Sequence, residues 1–343
     1  MQIKIKLFLL TLVLLTSNLM SQSQQLYADI GDIILENGEI LYNCQIGYRT
    51  FGTINEERSN IVFFPTWFGG TTGQLVDLIG PGKLIDDTQY YVIAVDALGN
   101  GISSSPSNSE LQPGIDFPVI SIEDMVNSQY LFLTKTLHVE HLFAIIGGSM
   151  GSMQVFQWIV SYPDFMDKAV PYVCSPRRTT YDQLLMHFRK ELILSYKELN
   201  ASDTLIQKML NISSAIFARS PEYIIEHVSY NDLPDYFAKF ENSTPKKTFT
   251  IDNYLCQLEA MRTHNIYQDY DNSISRVSKL IKSKVFIIIS MTDHLVDPTT
   301  SLELADALNA EVLKLTNNCG HLAVGCELSK CSKEINNFLS DTL

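Results

Sequence analysis

The chain has 343 residues, 45% of them hydrophobic, and carries 25 Lys and Arg against 38 Asp and Glu, a formal net charge of −13. At a mean hydropathy of +0.04 it can bury a full core, as one large domain with insertions or as a domain and a half. The acidic balance disfavours nucleic acid and anionic membrane surfaces as partners, since both recruit clustered Lys and Arg.

Residues 1–23 read as a secretory signal. Lys4 and Lys6 form a positive start, Leu7 to Leu15 is an apolar run, and Ser21-Gln22-Ser23 offers small residues for cleavage. The run is short for a bilayer span, and an uncleaved anchor is the competing reading. No cysteine beside the cut supports a lipoprotein. Removing the segment takes away two lysines and no acids, moving the charge to −15. The mature chain is expected to be secreted, periplasmic or lumenal.

Gly31 to Phe51 alternates around Glu36-Asn37-Gly38, and Asn-Gly between alternating runs predicts a hairpin. Ile61 to Phe64 and Tyr91 to Val95 are short apolar runs suited to strands buried on both faces, with a helix expected over Gln74 to Leu84 between them. Ser121, with Asp124 three residues on, opens a helix predicted over Ile122 to Leu137. Strand and helix alternate at the spacing of an α/β sheet. From about Arg177 to Leu280 the pattern changes to amphipathic helices (Tyr181 to Glu198, Ser202 to Ala218, Pro221 to Val228, Ile251 to Asn265). This reads as a helical cap inserted over the site, a separate helical domain being the alternative. The sheet resumes at Lys284 to Ser290, followed by a helix (Thr300 to Leu308), a strand (Glu311 to Thr316) and a last helix near Ser332 to Leu339. The organisation is a signal segment (1–23), a first core part (24–175), a cap (176–280) and a second core part (281–343).

Six cysteines (Cys44, Cys174, Cys256, Cys319, Cys326, Cys331) allow 15 connectivities, and the closeness of the last three suggests a local bridge. No C-x-x-C occurs and the histidines are scattered, so no metal and no cofactor is expected. Sequons stand at Asn200, Asn211 and Asn242.

The most informative run is Gly147-Gly148-Ser149-Met150-Gly151, between a strand-like segment (Leu142 to Ile146) and a helix-like one (Ser152 to Tyr162). A G-x-S-x-G in that setting is a nucleophile elbow, a turn tight enough that side chains two residues either way would collide. Serine needs a base to become a nucleophile, and the base needs an orienting group. In such a fold the order is Ser, acid, His, both partners on loops after later strands. Asp293 follows the strand Lys284 to Ser290, and His321 follows the next. Asp297, just before Pro298, is the alternative acid. Among other histidines, His294 is expected buried beside the acid. The developing oxyanion needs preorganised donors. One is expected from the backbone N–H of Met150, and the second from the loop Pro65 to Gly70, with Trp67 favoured and Phe68 next.

These residues make the chain similar to the homoserine O-acetyltransferase-like family of α/β-hydrolases over nearly all of its length after residue 23. The matching stretches are Tyr48 to Asn55, Ser59 to Val62, Asp116-Phe117-Pro118 and Asp124-Met125-Val126, with Gly147 to Gln154 close to that family's GGSMGGMQ elbow. The resemblance implies an α/β-hydrolase fold, a doubly wound mostly parallel sheet with an inserted helical cap, and a ping-pong acyl-enzyme on Ser149. Ser152 replaces a glycine at the first helical turn. Leu322 stands directly after the base, where the acetyltransferases place an aspartate for the amino group of homoserine, and a leucine cannot bind an ammonium. Arg189 falls near the family's carboxylate-binding arginine, a solvated helix face being the alternative. Export would also part the enzyme from cytosolic acetyl-CoA. The leading expectation is therefore an exported serine esterase. An O-acyltransferase using an acyl-CoA donor is the alternative, and an inactive binding protein the third reading. The expected partner is a small-molecule ester or acyl donor, and a homodimer stays open beside a monomer.

Overall fold

The computed structural model describes residues 24–173, 175–241 and 247–341. The expected signal segment (1–23), Cys174 and the Asn242 sequon lie outside them. Eight strands form one sheet in the order β1-β2-β4-β3-β5-β6-β7-β8. β1 (Leu26–Ile34) and β2 (Ile40–Phe51) are the expected hairpin, and β2 runs antiparallel to β4 (Tyr91–Val95). β3 (Ile61–Pro65), β4, β5 (Leu142–Gly148), β6 (Met166–Tyr172), β7 (Lys284–Ser290) and β8 (Glu311–Leu315) are parallel. All five residues of β3 are buried. Phe63 points into one apolar cluster with Ile93, Ile145 and Trp158, while Val62 and Phe64 point into a second with Val92, Ile146 and Phe286. That two-residue period, apolar at both phases, is what a sheet covered on both faces demands. The expected α/β-hydrolase fold is the one observed.

The helix expected over Gln74 to Leu84 is a correction. Only α1 (Thr72–Leu75) and a 3₁₀ turn (Val76–Leu78) form. Gly80-Pro81-Gly82 follows directly, with Gly80 and Gly82 at φ 140° and 73°, and such a run cannot continue a helix. α2 (Ile122–Leu131) carries the Ser121–Asp124 capping box, and its last expected turn is a π-helical one, Phe132–Thr136. α3 (Met150–Ser161) follows the elbow.

Between β6 and β7 come α4 (Thr180–Glu198), α5 (Asp203–Phe217), α6 (Pro221–His227), α7 (Leu233–Glu241), α8 (Ile251–Thr263) and α9 (Ile274–Leu280). α4 to α8 lie in the stretch expected to be a cap segment; there α4 packs on α8 and α5 on α7, while α9 packs instead against α10 (Thr299–Leu308) of the core. The chain closes with α11 (Ala323–Cys326) and α12 (Leu328–Ser340). No helix among the described residues is long and apolar enough to cross a membrane.

Candidate active site

Ser149 joins β5 to α3 at φ 55° and ψ −123°, a region that costs a side-chain-bearing residue about 1–3 kcal/mol. Its surroundings hold it there. Its N–H bonds the Tyr172 carbonyl on β6 at 3.1 Å, and its own carbonyl accepts from Ser152 and Met153 in the first turn of α3. A Cβ on Gly147 would stand 2.5 Å from the Gly151 carbonyl, and one on Gly151 2.7 Å from that of Pro65. The turn therefore closes only with glycine at both places. Ser152 is accommodated, its hydroxyl bonding back to the Ser149 carbonyl.

The structure brings Ser149, His321 and Asp293 together across 172 residues of chain. Ser149 Oγ lies 2.9 Å from His321 Nε2, and His321 Nδ1 lies 2.7 Å from Asp293 Oδ2. The imidazole and carboxylate side chains are 9% and 1% exposed, while the serine is half-buried. Asp293 Oδ1 accepts from the N–H groups of Leu295 and Val296 at 2.8 and 2.9 Å. Because an ionised carboxylate only accepts, the hydrogen-bond network assigns the proton to Nδ1 and leaves the Nε2 lone pair facing the serine hydroxyl. Asp297, the alternative acid, accepts instead from the Thr299 N–H, and its own N–H goes to Asp182 on α4. His294 is exposed, contrary to expectation: the turn that aims Asp293 inward leaves the next side chain facing out.

Four constraints hold the loop carrying His321. Its N–H donates to the Ala218 carbonyl at the end of α5, and the Ser290 hydroxyl donates to the Gly320 carbonyl. Gly320 has φ 62°, and a Cβ there would press on the Arg219 backbone at 2.9 Å. A disulfide joins Cys319 to Cys326, enclosing His321. Cys331, the third of the close cysteines, is a buried thiol on α12. Leu322 is 44% exposed beside the base, at the rim.

Met150 is the first residue of α3 and fully buried. Its N–H heads the helix, where backbone donors have no intrahelical partner and the macrodipole is positive. The loop after β3 runs alongside: the Thr66 N–H bonds Val95 and the Ala97 N–H bonds the Thr66 hydroxyl. Further on, Asn100 holds the Gly70 carbonyl, and the buried Asp96 accepts both the N–H and the hydroxyl of Thr72. Burial raises the Asp96 pKa, and the Thr72, Asn100 and Gln25 donors oppose that rise. Between these anchors no acceptor among the described residues takes the Trp67 N–H. Phe68 packs edge-on against Phe249 and Tyr254 of the cap segment.

Arg189 is buried on α4 rather than on a solvated face. Its Nε donates to Ser213 at 3.3 Å, its Nη2 has no partner, and it neighbours the Tyr254 hydroxyl, also unpartnered. Arg178 is buried nearby, where burial lowers its pKa to about 10 against the pull of Asp182 and Asp293. Asp96 and Asp182 were not singled out from the sequence, and Gln154 entered only as the last residue of the elbow match, without a role. The one available signal was Gln154, a polar residue within the buried stretch Met150–Val160 of α3, where an amide has to find partners.

A model of the alpha/beta hydrolase fold matches residues 60–325. The homoserine O-acetyltransferase of Methanohalobium evestigatum is 28% identical over 360 residues, covering 91% of this chain and 72% of that protein. The ethyl acetate hydrolase of Pseudomonas veronii is 36% identical over 169 residues, 48% of each chain. Among solved structures, an acetylester hydrolase from Corynebacterium glutamicum superposes with a TM-score of 0.84 at 22% identity, covering 93% of this chain and 97% of that one, a likeness of fold.

Proposed function

Because this chain belongs to the alpha/beta hydrolase fold family and is an enzyme of the hydrolase or acyltransferase kind, we propose that it is an exported serine esterase working through an acyl-enzyme on Ser149. The observation that carries this is the relay from Ser149 Oγ through His321 to the buried carboxylate of Asp293. Oγ attacks the ester carbonyl carbon as its proton passes to Nε2, and the carbonyl oxygen becomes an oxyanion facing the N–H groups of Met150 and Trp67. Collapse expels the alcohol, which takes the proton from Nε2, and leaves the acyl group on Oγ. Water then attacks the acyl-enzyme by the same route and releases the acid. Asp293 keeps the imidazole in the required tautomer and stabilises its protonated form.

Water is favoured as acceptor over an amino acid because Leu322, at the rim, offers nothing to an ammonium group. The unpartnered Nη2 of Arg189 favours a second reading, O-acyl transfer from an acyl-CoA to a small acceptor bearing a carboxylate. Export is supported by the pattern of residues 1–23 and by the Cys319–Cys326 bridge, a bond that persists in oxidising compartments.

Hydrolysis of p-nitrophenyl esters of increasing chain length, beside incubation with acetyl-CoA with and without homoserine or serine, tests the choice. Ester hydrolysis without transfer is expected, and efficient transfer to the amino acid would install the second reading. Ser149→Ala should abolish labelling by a fluorophosphonate and lower turnover by about a million-fold. A variant keeping more than about a tenth of the activity would remove Ser149 from the mechanism.

A further inference from the structure

We propose that Gln154 is a positioning residue that fixes the two oxyanion donors relative to each other, an inference that rests on Ser149 being the nucleophile. Gln154 lies in the second turn of α3 and is fully buried. Its Nε2 donates to two carbonyls at once, Thr66 O at 3.0 Å in the loop after β3 and Met150 O at 3.1 Å at the head of its own helix. Those are the residue before one expected donor and the residue that supplies the other.

The orientation of the amide follows from a chain of buried side chains. The Trp158 indole can only donate, and its Nε1–H goes to Gln129 Oε1 at 2.9 Å. Gln129 Nε2 must then face outward, and it donates to Gln154 Oε1 at 2.6 Å. That leaves Gln154 Nε2, with both its hydrogens, for Thr66 and Met150. Flipping either amide would set donor against donor among side chains that are all buried.

The consequence lies in the peptide that Gln154 holds. Thr66 C=O and Trp67 N–H belong to one planar trans unit and point in opposite directions. Tying the carbonyl to α3 therefore fixes the direction of the Trp67 N–H, which no acceptor among the described residues takes. The loop is already pressed on the helix here, as the 2.7 and 3.4 Å approaches of a Gly151 Cβ to the Pro65 and Thr66 carbonyls attest. Contact alone sets the distance, and the amide sets the rotation of the peptide. Of Trp67 and Phe68, it is the Trp67 peptide that Gln154 holds.

Oxyanion stabilisation acts in the transition states of both acylation and deacylation, so its loss lowers kcat and leaves KM nearly constant. Gln154→Leu is expected to lower kcat on p-nitrophenyl acetate by about 10- to 100-fold, below the loss for deleting a donor outright. KM should change by less than about twofold, and an alkyl boronic acid, whose tetrahedral adduct presents an oxygen to the same donors, should bind more weakly by the factor lost from kcat. Retained kcat and boronate affinity would overturn the proposal, as would a loss confined to KM or to the fraction of folded protein.

Should Gln154→Leu not fold, Gln154→Glu carries the test. As a neutral acid this isostere can still donate to Thr66; ionised, it turns an oxygen towards that carbonyl. Its kcat relative to the parent should therefore fall as pH rises through the new group's ionisation, and a ratio flat from about pH 5 to 9 would overturn the proposal. Fluorophosphonate labelling of the parent separates the two inferences. An unlabelled parent defeats the Ser149 reading, whereas a labelled parent matched by an unimpaired Gln154→Leu defeats only this one.

Discussion

Replacing Asp293 by asparagine tests the relay at the point where the structure makes the sharpest statement. Oδ1 is held by two backbone donors, the N–H groups of Leu295 and Val296. Asparagine can keep both bonds only by placing its oxygen there, which turns its NH₂ towards His321. That amide donates, so Nδ1 must accept and the ring proton moves to Nε2. Nε2 then presents a hydrogen to the serine hydroxyl instead of a lone pair, and the base is lost with almost no change of shape. A wrong tautomer held in this way lowers kcat by about ten-thousand-fold in the best-studied triad, close to 5–6 kcal/mol of barrier. We expect a loss of that order here, since the carboxylate is 1% exposed and the two backbone donors fix which way the amide must face. The assay is kcat on p-nitrophenyl acetate beside circular dichroism and thermal unfolding of the same preparation. A folded Asp293→Asn keeping more than about a tenth of parental kcat would refute the argument, because the base would then be orienting without the acid.

Leu322 is half in solvent beside the base, so Leu322→Asp should leave stability within about 0.5 kcal/mol and is the position at which transfer of an acetyl group to homoserine should first emerge; efficient transfer by the unmodified protein would void the reasoning. His264 is buried, and burial, with the charge of Arg178 adding to it, lowers its pKa from 6.5 to about 3. Above 6.5 both folded and unfolded chains hold it neutral. Below that the unfolded chain takes up a proton that the folded one refuses, so stability should fall from pH 6.5 towards 3, by about 1.4 kcal/mol per pH unit in mid-window. Urea unfolding at pH 7 and 5 should show a smaller difference in His264→Gln, and an unchanged difference would remove this histidine from the acid sensitivity.

Much of this arrangement was legible in the sequence because it is written in local chemistry. Asn37-Gly38 encodes its hairpin, the β-branched run of β7 has few uses besides a strand buried on both faces, and Ser121–Asp124 closes its capping box on itself. The elbow was readable because so tight a turn excludes side chains at Gly147 and Gly151. What escaped depends on approach in space. Gln154 and Thr66 are 88 positions apart, and no window of sequence joins them. α7 was missed although Leu233, Tyr236, Phe237 and Phe240 recur at helical spacing: Pro234 reads as a break, and none of its residues is buried. The bridge fell to Cys319 and Cys326 because Cys331 turns into the core on α12, which sequence spacing cannot reveal. Arg189 sits in the same class: its helix was evident, its burial was not.

The bonds between α4–α8 and the strand-end loops have a consequence for how substrate comes and goes. Asn253 on α8 exchanges hydrogen bonds with Ser107, and Gln257 bonds both the Gly69 N–H and the Leu98 carbonyl. Ser220 reaches Asn318, and Ala218 takes the His321 N–H itself. A segment fastened like this is a wall and not a door. Swinging it aside as one body would strip the loop after β3 of a support and pull at the histidine in the same movement. Exposed side chains beside His321, Leu322 among them, are left to yield first. Changes in that segment should therefore reach turnover as directly as they reach binding.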